Sequence, residues 1–415
     1  MPEYPVNLLT PYSRQWEFIT SPAKRKVVRA GRRGGKTVGV SVLAVLAFLE
    51  GKRVLYAAPT DDQIDTFWRH VKSALQKPIS KKQIYKNETK HILELRGTTT
   101  RIKCKTAYDA DTLRGDYADL LILDEYQMMS EDTWYLVGSP MMLDTNGTAI
   151  FIYTPPSLQT QSRSRASDPR HAAKLFQRAT QDETGRWATF SFSSFENPHI
   201  SAEALADISA DMSAVAYRME ILAEDLEEAP GALWTRRVLD SGRVLSHPDL
   251  QRLVVAIDPS ATSTGDEAGI VTVGSNGNVP AQMQYYLLED NSLQGSPIEW
   301  ARAAVAAYHR HKADHIIAEV NNGGEMVTQT IKSVDSSVPV RAVHASRGKL
   351  TRAEPVSVVY EQGRGHHVGS FPKLEDELCL WQPGMNSPNR LDALVWGISD
   401  LMQHPPRRAA RTSSG

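Results

Sequence analysis

The sequence predicts an α/β protein in two parts, and three observations predict it. Apolar strands alternate with helical stretches through the first half. A Gly-rich turn, Ala30-Gly31-Arg32-Arg33-Gly34-Gly35-Lys36-Thr37, follows directly on an apolar run. After a break at Pro230-Gly231, a new strand-rich region opens with Leu253–Asp258, an apolar segment that ends in a carboxylate.

Taken in order, Lys26–Arg29 is a strand feeding the Gly-rich turn, and Thr37–Leu49 is the helix behind it. Arg53–Pro59 is a strand and Asp61–Gln76 a helix. Leu120-Leu121-Ile122-Leu123 is uniformly apolar, as a strand buried on both faces should be. Thr148–Thr154 is a further strand. Such alternation builds a parallel sheet with helices on both faces. Residues 201–229 are helical and acidic, and a linker is expected over about 228–250, around Pro230-Gly231. Beyond it, Leu253–Asp258, Gly269–Gly274, Met283–Glu289, His315–Val320 and Val338–His344 are strands. Pro297–His311 is an amphipathic helix with Pro in its first turn. Glu325–Val334, Ala353–Glu361, Lys373–Trp381 and Arg390–Met402 are helices. Three neighbouring strands followed by alternating helix and strand fit a ribonuclease-H-like fold.

Composition bounds the function. The 415 residues carry 47 Lys and Arg against 48 Asp and Glu, so no global positive field advertises nucleic acid and any such surface is local. Cys104 and Cys379 lie far apart with no metal-type spacing, which suggests a reducing compartment and no disulfide framework. The first twenty residues lack a basic segment followed by an apolar core. No stretch approaches the ~20 apolar residues that span a bilayer, so a soluble cytosolic chain with no membrane partner is expected. Residues 405–415 read as a disordered basic tail.

The Gly-rich turn is a phosphate-binding loop. Backbone N–H groups of Gly31 to Gly35 can cradle phosphates, Lys36 would reach the β- and γ-phosphates, and Thr37 would hold Mg²⁺. Ala30 stands where the strict pattern has Gly. The matching acidic pair is Asp124-Glu125, at the carboxyl end of the Leu120–Leu123 strand, where ligands bind in open α/β sheets. Asp124 suits the second shell of the Mg²⁺ and Glu125 the base that polarises attacking water.

A second constellation comprises Asp258, Glu319 and Asp392, with Asp266 as a possible fourth member. Two of them end apolar strands, an unusual place for charge unless something pairs with it. Three carboxylates at one sheet edge repel, and a pair of divalent cations, Mg²⁺ or Mn²⁺, would relieve that repulsion and drive phosphodiester hydrolysis. The bland readings are a turn cap at Asp258 before Pro259, an ion pair at Glu319 and a solvated helix face at Asp392. Between Glu319 and Asp392 lie Arg341, His344, Arg347, Lys349 and Arg352, with Gly348 lending mobility, a loop suited to DNA phosphates.

In this order, with Tyr153-Thr154-Pro155 and the Gln15-bearing segment Pro11–Trp16, the chain resembles the large terminase subunit of tailed bacteriophages, the DNA-packaging motor. The resemblance runs from about residue 8 to 402. The double Arg in the loop, Arg347-Gly348-Lys349 with Arg352–Pro355, Tyr360–Gly363 and Leu391–Leu394 are similar to that family. It implies an ASCE-type P-loop packaging ATPase over 1–200, a helical lid and linker over 201–249, and a ribonuclease-H-like endonuclease over 250–404. It further implies ATP with Mg²⁺ at Lys36 and Thr37, Walker B residues Asp124 and Glu125, a coupling residue at Thr154 and an adenine-contacting Gln15. Arg114, in Leu113-Arg114-Gly115, resembles a trans-acting arginine finger, with Arg32 and Arg33 competing for that role. Asp258, Glu319 and Asp392 would be the nuclease triad holding two divalent cations, and Arg347, Lys349 and Arg352 would bind DNA. The implied partners are double-stranded DNA, the portal protein of the procapsid, the small terminase subunit and further copies in a pentameric ring, in host cytoplasm with transient docking on the procapsid. Rival readings are an ATP-dependent translocase or helicase without nuclease activity, a resolvase-like nuclease, and a nucleotide-binding scaffold.

Overall fold

The computed structural model describes residues 4–107, 109–161, 164–210, 212–259, 267–320, 324–345, 348–382, 385 and 388–405. Asp266, Arg347 and residues 406–415 lie outside the described residues. The chain divides into two units, 1–226 and 227–415, each with its own sheet.

The first unit holds eight strands: β1 Arg25–Ala30, β2 Arg53–Ala58, β3 Ile84–Asn87, β4 Ile92–Leu95, β5 Arg101–Thr106, β6 Leu120–Asp124, β7 Thr148–Tyr153 and β8 Trp187–Phe192. Their spatial order is β3-β4-β5-β2-β6-β7-β1-β8. From β5 to β8 every pairing is parallel, and β6 is buried at all five positions. The sheet is not parallel throughout: β3, β4 and β5 pair antiparallel and extend one edge. Two four-residue strands with one buried position each hid this hairpin from an apolar-pattern reading. Separate apolar cores cover the two faces. One packs the helices Lys36–Leu49 and Asp61–Ala74 on one side, and the other packs Trp134, Val137 and the helix His171–Thr180 on the opposite side.

Several elements differ from expectation. The helix from Asp61 ends at Ala74, and Gln76–Ser80 forms a separate short turn of helix containing Pro78. The acidic stretch 201–229 is two helices, Ala202–Ala210 and Ala214–Glu220, the second capped by Ser213 accepting from the Ala216 amide. The expected linker contributes a helix, Arg236–Ser241, and a strand to the second sheet.

That sheet comprises β9 Arg243–Val244, β10 Arg252–Asp258, β11 Gly269–Asn276, β12 Gln284–Asp290, β13 His315–Glu319, β14 Val340–Val343 and β15 Gly365–Val368. The order is β14-β13-β10-β11-β12-β15-β9. Three antiparallel strands, β10 to β12, are joined on the β10 side by parallel β13 and β14, the ribonuclease-H-like arrangement. Pro297–His311 opens with a capping box between Ser296 and Glu299 and packs on one face. The helix Asn389–Gln403 covers β10 and β11 on the other. The basic segment near 349 is no loop: Lys349 and Arg352 stand in the first turn of the helix Lys349–Glu361.

One close approach sets this second unit. A Cβ on Gly269 would lie 2.0 Å from the Asn389 carbonyl oxygen and 2.8 Å from the Arg390 nitrogen, so only glycine lets the C-terminal helix start against β11. Gly269→Ala should therefore cost about 1–3 kcal/mol and lower the unfolding midpoint of the nuclease-like unit by roughly 2–4 °C per kcal/mol. A calorimetric scan with an unchanged midpoint would contradict this packing.

Candidate functional site

The phosphate loop runs from the end of β1 into the helix Lys36–Leu49. Gly35 caps that helix at φ 79°, a left-handed conformation glycine adopts without strain, and Arg33 also has positive φ at 59°. Lys36 is buried, and its Nζ donates to the carbonyls of Ala30 (3.2 Å) and Gly31 (3.3 Å) and to Thr154 Oγ1 (2.5 Å). Thr37 Oγ1 donates to Asp124 Oδ2 at 3.0 Å, and the Tyr56 hydroxyl donates to the same oxygen at 2.6 Å. Burial and then the neighbouring Glu125 charge push the Asp124 carboxyl up to about 6, against the pull of Tyr56, Lys36 and Thr37. A buried carboxylate beside a threonine hydroxyl at a helix N-terminus fits a hard cation such as Mg²⁺. Glu125 takes a left-handed backbone (φ 53°), and its Oε2 accepts from Gln127 at 2.6 Å.

A cleft of about 1020 Å³ opens over this loop, lined among others by Arg32, Arg33, Thr37, Glu125 and Thr154. Arg32 is tied within the chain to Glu220 at 2.6 Å, while Arg33 is exposed. Arg114 lies elsewhere. It is exposed, pairs with Asp111 at 2.5 Å, and lines a separate cleft of about 510 Å³ with Asp109, Ser130 and Asp132. Gln15 is buried beneath the loop: its Nε2 donates to the Gly35 carbonyl at 2.7 Å and its Oε1 accepts from the Tyr12 amide at 3.1 Å. The Tyr12 hydroxyl donates to the Gly34 carbonyl at 2.6 Å. Gln15 is thus no surface residue but a brace for the loop.

In the second unit, β10 and β13 are parallel neighbours and deliver Asp258 and Glu319 side by side, Ile257 pairing with Ala318 one residue earlier. Asp392 comes from the first turn of the C-terminal helix. Oxygens of all three lie within 4.8 Å of one another. Burial, then the charges of Glu319 and Asp392, hold the Asp258 carboxyl well above the usual carboxylate range, and Lys349 and Arg352 pull it down. An all-carboxylate donor set under that repulsion fits Mg²⁺ or Mn²⁺. The Trp396 indole N–H donates to Glu319 Oε2 at 2.7 Å, and Lys349 Nζ donates to Asp392 Oδ2 at 3.0 Å. The Arg352 guanidinium lies 4.4 Å over the Trp396 ring. These two cations therefore serve the acidic cluster at close range, whereas Arg341 is drawn off to Asp400.

Behind the cluster, Arg390 is buried among Glu267, Asp290 (3.0 Å) and Glu377 (3.1 Å), which pins the start of the helix that carries Asp392.

Sequence models of two domains match the chain: terminase large subunit, ATPase domain, over residues 20–168, and terminase RNaseH-like domain over 255–400. The chain belongs to the large terminase subunits. Terminase large subunits of Thermus phage G20c and Thermus virus P23-45 are each 28% identical to it over 166 residues, 36% of this chain and 34% of theirs. The match thus spans about a third of those relatives' length. Among solved structures, the Thermus phage P74-26 large terminase ATPase domain aligns at 20% identity over 52% of this chain and 94% of that one, with a TM-score of 0.43. The large terminase of bacteriophage HK97 aligns at 12% identity over 94% and 95%, with a TM-score of 0.46.

Three residues of this large terminase escaped the sequence reading. Trp396 stands four residues after Asp392, one helical turn on, so spacing alone signals a shared face. Tyr56 is a hydroxyl inside an apolar strand, which demands a buried partner. Glu220 gave no local signal, because its partner Arg32 is distant in sequence.

Mn²⁺ at about a hundred times its Kd should stabilise the metal-free protein by about 2.7 kcal/mol, and Asp392→Asn should lose most of that shift in a thermal scan. Trp396→Phe should weaken Mn²⁺ affinity by about 10–100-fold in titration calorimetry. Equal affinity in both proteins would remove Trp396 from the site.

Proposed function

We propose that this chain is a DNA-packaging motor that also cuts its substrate. ATP hydrolysis in residues 1–226 would drive double-stranded DNA into a procapsid, and cleavage by residues 227–415 would sever the concatemer with little sequence preference. The observation that supports this most is the pairing, in one chain, of a phosphate loop braced on Asp124 with three carboxylates gathered within 4.8 Å on a ribonuclease-H-like sheet.

In this reading the amides of residues 31–35 and Lys36 hold the β- and γ-phosphates, and Thr37 with Asp124 holds Mg²⁺. Bound there, Mg²⁺ shields the phosphate charge. Glu125 orients the attacking water and is itself aimed by Gln127. Thr154 is the coupling residue: it touches Lys36, so a triphosphate that draws the ammonium toward itself also breaks its contact with β7's end. Gln15 acts through the loop backbone that it braces. Arg114 lines a cleft other than the one over the phosphate loop and is exposed, which suits a finger supplied to a neighbour in a ring, a pentamer. The further partners are the portal protein and the small terminase subunit, and the site of action is the procapsid vertex in host cytoplasm.

In the nuclease unit, Asp258, Glu319 and Asp392 would hold two divalent cations. Such a pair supplies an activated water and offsets charge on the leaving oxygen. Trp396 fixes the orientation of Glu319. Lys349 and Arg352 lie where a scissile phosphate would need positive charge, with Arg352 held flat against the indole.

Lys36→Ala should reduce ATP turnover to the uncatalysed background; phosphate release at the wild-type rate would refute the loop's role. Asp258→Asn should abolish Mn²⁺-dependent plasmid cutting while ATP turnover persists. Loss of both activities together, with a lowered unfolding midpoint, would indicate misfolding instead.

A further inference from the structure

The hairpin edge of the first sheet is strongly one-sided in a chain of nearly balanced charge. Residues 77–105 contain nine lysines and arginines against two glutamates, and Lys81, Lys82, Lys90 and Arg96 among them are exposed. On β5 the alternate residues Ile102 and Cys104 enter the core, so Arg101, Lys103 and Lys105 share the opposite face. All three converge on one carboxylate. Asp116 accepts from Arg101 at 3.1 Å, Lys103 at 2.9 Å and Lys105 at 2.6 Å. Burial alone would raise the Asp116 carboxyl, and the hydrogen bonds from Lys105 and Lys103 overrule it and hold it low.

Three fixed cations around a single anion leave an excess of positive charge on side chains still a fifth to a third exposed (29%, 20% and 26%). Their repeat along the strand is roughly 6.6 Å, two residues at about 3.3 Å. Two steps along one DNA strand advance about 6.8 Å. The backbone positions thus repeat at about the advance of two nucleotides, while the three cationic heads meet at Asp116 and form one concentrated positive site that a backbone phosphate can enter.

Resting on the packaging reading above, we infer that the Arg101–Lys103–Lys105 face of β5, with the basic hairpin beside it, is where the ATPase unit grips the duplex backbone, and that Asp116 is an internal stand-in for phosphate. Incoming DNA phosphates compete with Asp116 for the same three cations. Arg114 lies two residues before that anchor. Duplex that draws Lys103 and Lys105 off Asp116 therefore also slackens the segment carrying Arg114, linking occupancy by DNA to completion of a neighbour's ATP site.

The test uses the full chain, a fluorescent 30-base-pair duplex and anisotropy between about 50 and 200 mM salt. Lys103→Ala with Lys105→Ala should lower the slope of log affinity against log salt by about 1.8, at 0.9 per phosphate contact. It should also bring the ratio of ATP turnover with and without duplex toward one. Asp116→Asn, which removes the competitor, should bind duplex several-fold more tightly and gain more thermal stability from it than the wild type does. An unchanged slope in the double variant, or no gain in Asp116→Asn, overturns the inference while leaving the packaging reading intact. Absence of both ATP turnover and duplex binding in the wild type overturns the packaging reading itself.

Discussion

Like charge held at close quarters is the constraint on which both chemical centres depend. Oxygens of Asp258, Glu319 and Asp392 share a sphere of 4.8 Å, and Asp124 sits buried beside Glu125. Two carboxylates at that separation repel by about 3–4 kcal/mol at an effective dielectric near 20. The fold offers some relief: the Lys349 ammonium donates to Asp392, the Trp396 indole N–H to Glu319, and the Thr37 and Tyr56 hydroxyls and the Glu125 amide to Asp124, with Arg352 and Lys36 adding positive charge nearby. Even so, the Asp258 and Asp124 carboxyls stay above the usual carboxylate range. A sheet whose packing holds carboxylates this close has the donor set that hard divalent cations take.

The packing that enforces this lies away from the oxygens. Asp392 is placed by a helix whose start touches β11 at Gly269 and is held by Arg390 among three carboxylates. Burial of Arg390 would be costly without partners, and the surrounding acids raise its affinity for its proton still further. In the first unit the phosphate loop is held from below by Gln15 and Tyr12 and from the side by Ser194 and Asn197, which donate to the Arg32 and Arg33 carbonyls at 2.6 and 2.7 Å. The loop is thus shaped before any triphosphate enters, which reduces the ordering cost of binding.

Much of this was legible in the sequence because its signals are local. A Gly-rich turn behind an apolar strand, and apolar strands that end in Asp or Glu, each fit within one element. The phosphate loop, β6, β10 and β13 were readable for that reason. What stayed hidden depends on tertiary partners. The β3–β4 hairpin has too few buried positions to show an apolar pattern, and the antiparallel edge it adds follows from pairing with β5. Residues 236–244 looked like linker because their apolar content is slight, yet β9 is stabilised by pairing with β15, far along the chain. Lys349 and Arg352 read as a mobile loop beside Gly348. Their true setting is the first helical turn, fixed by Asp392 and Trp396, which sequence spacing does not connect to them.

The arginines show how geometry separates candidates that sequence leaves equal. Arg32 spends its charge on Glu220 within the same chain, and its backbone is tied twice, its amide to the Glu220 carbonyl and its carbonyl to Ser194. A residue so anchored stiffens the loop but has little freedom to follow a developing charge. Arg33 is exposed at the lip of the cleft on a left-handed backbone, so its guanidinium has room to move without reorganising the loop. Arg114 is also exposed, but it faces a different cleft and forms a surface pair with Asp111, an interaction of at most about 1 kcal/mol. Such a weak tie is readily exchanged for a phosphate. On the packaging reading proposed above, that exchange would be with the triphosphate of a second copy, and the ATP site of the proposed ring would then be a property of the assembly.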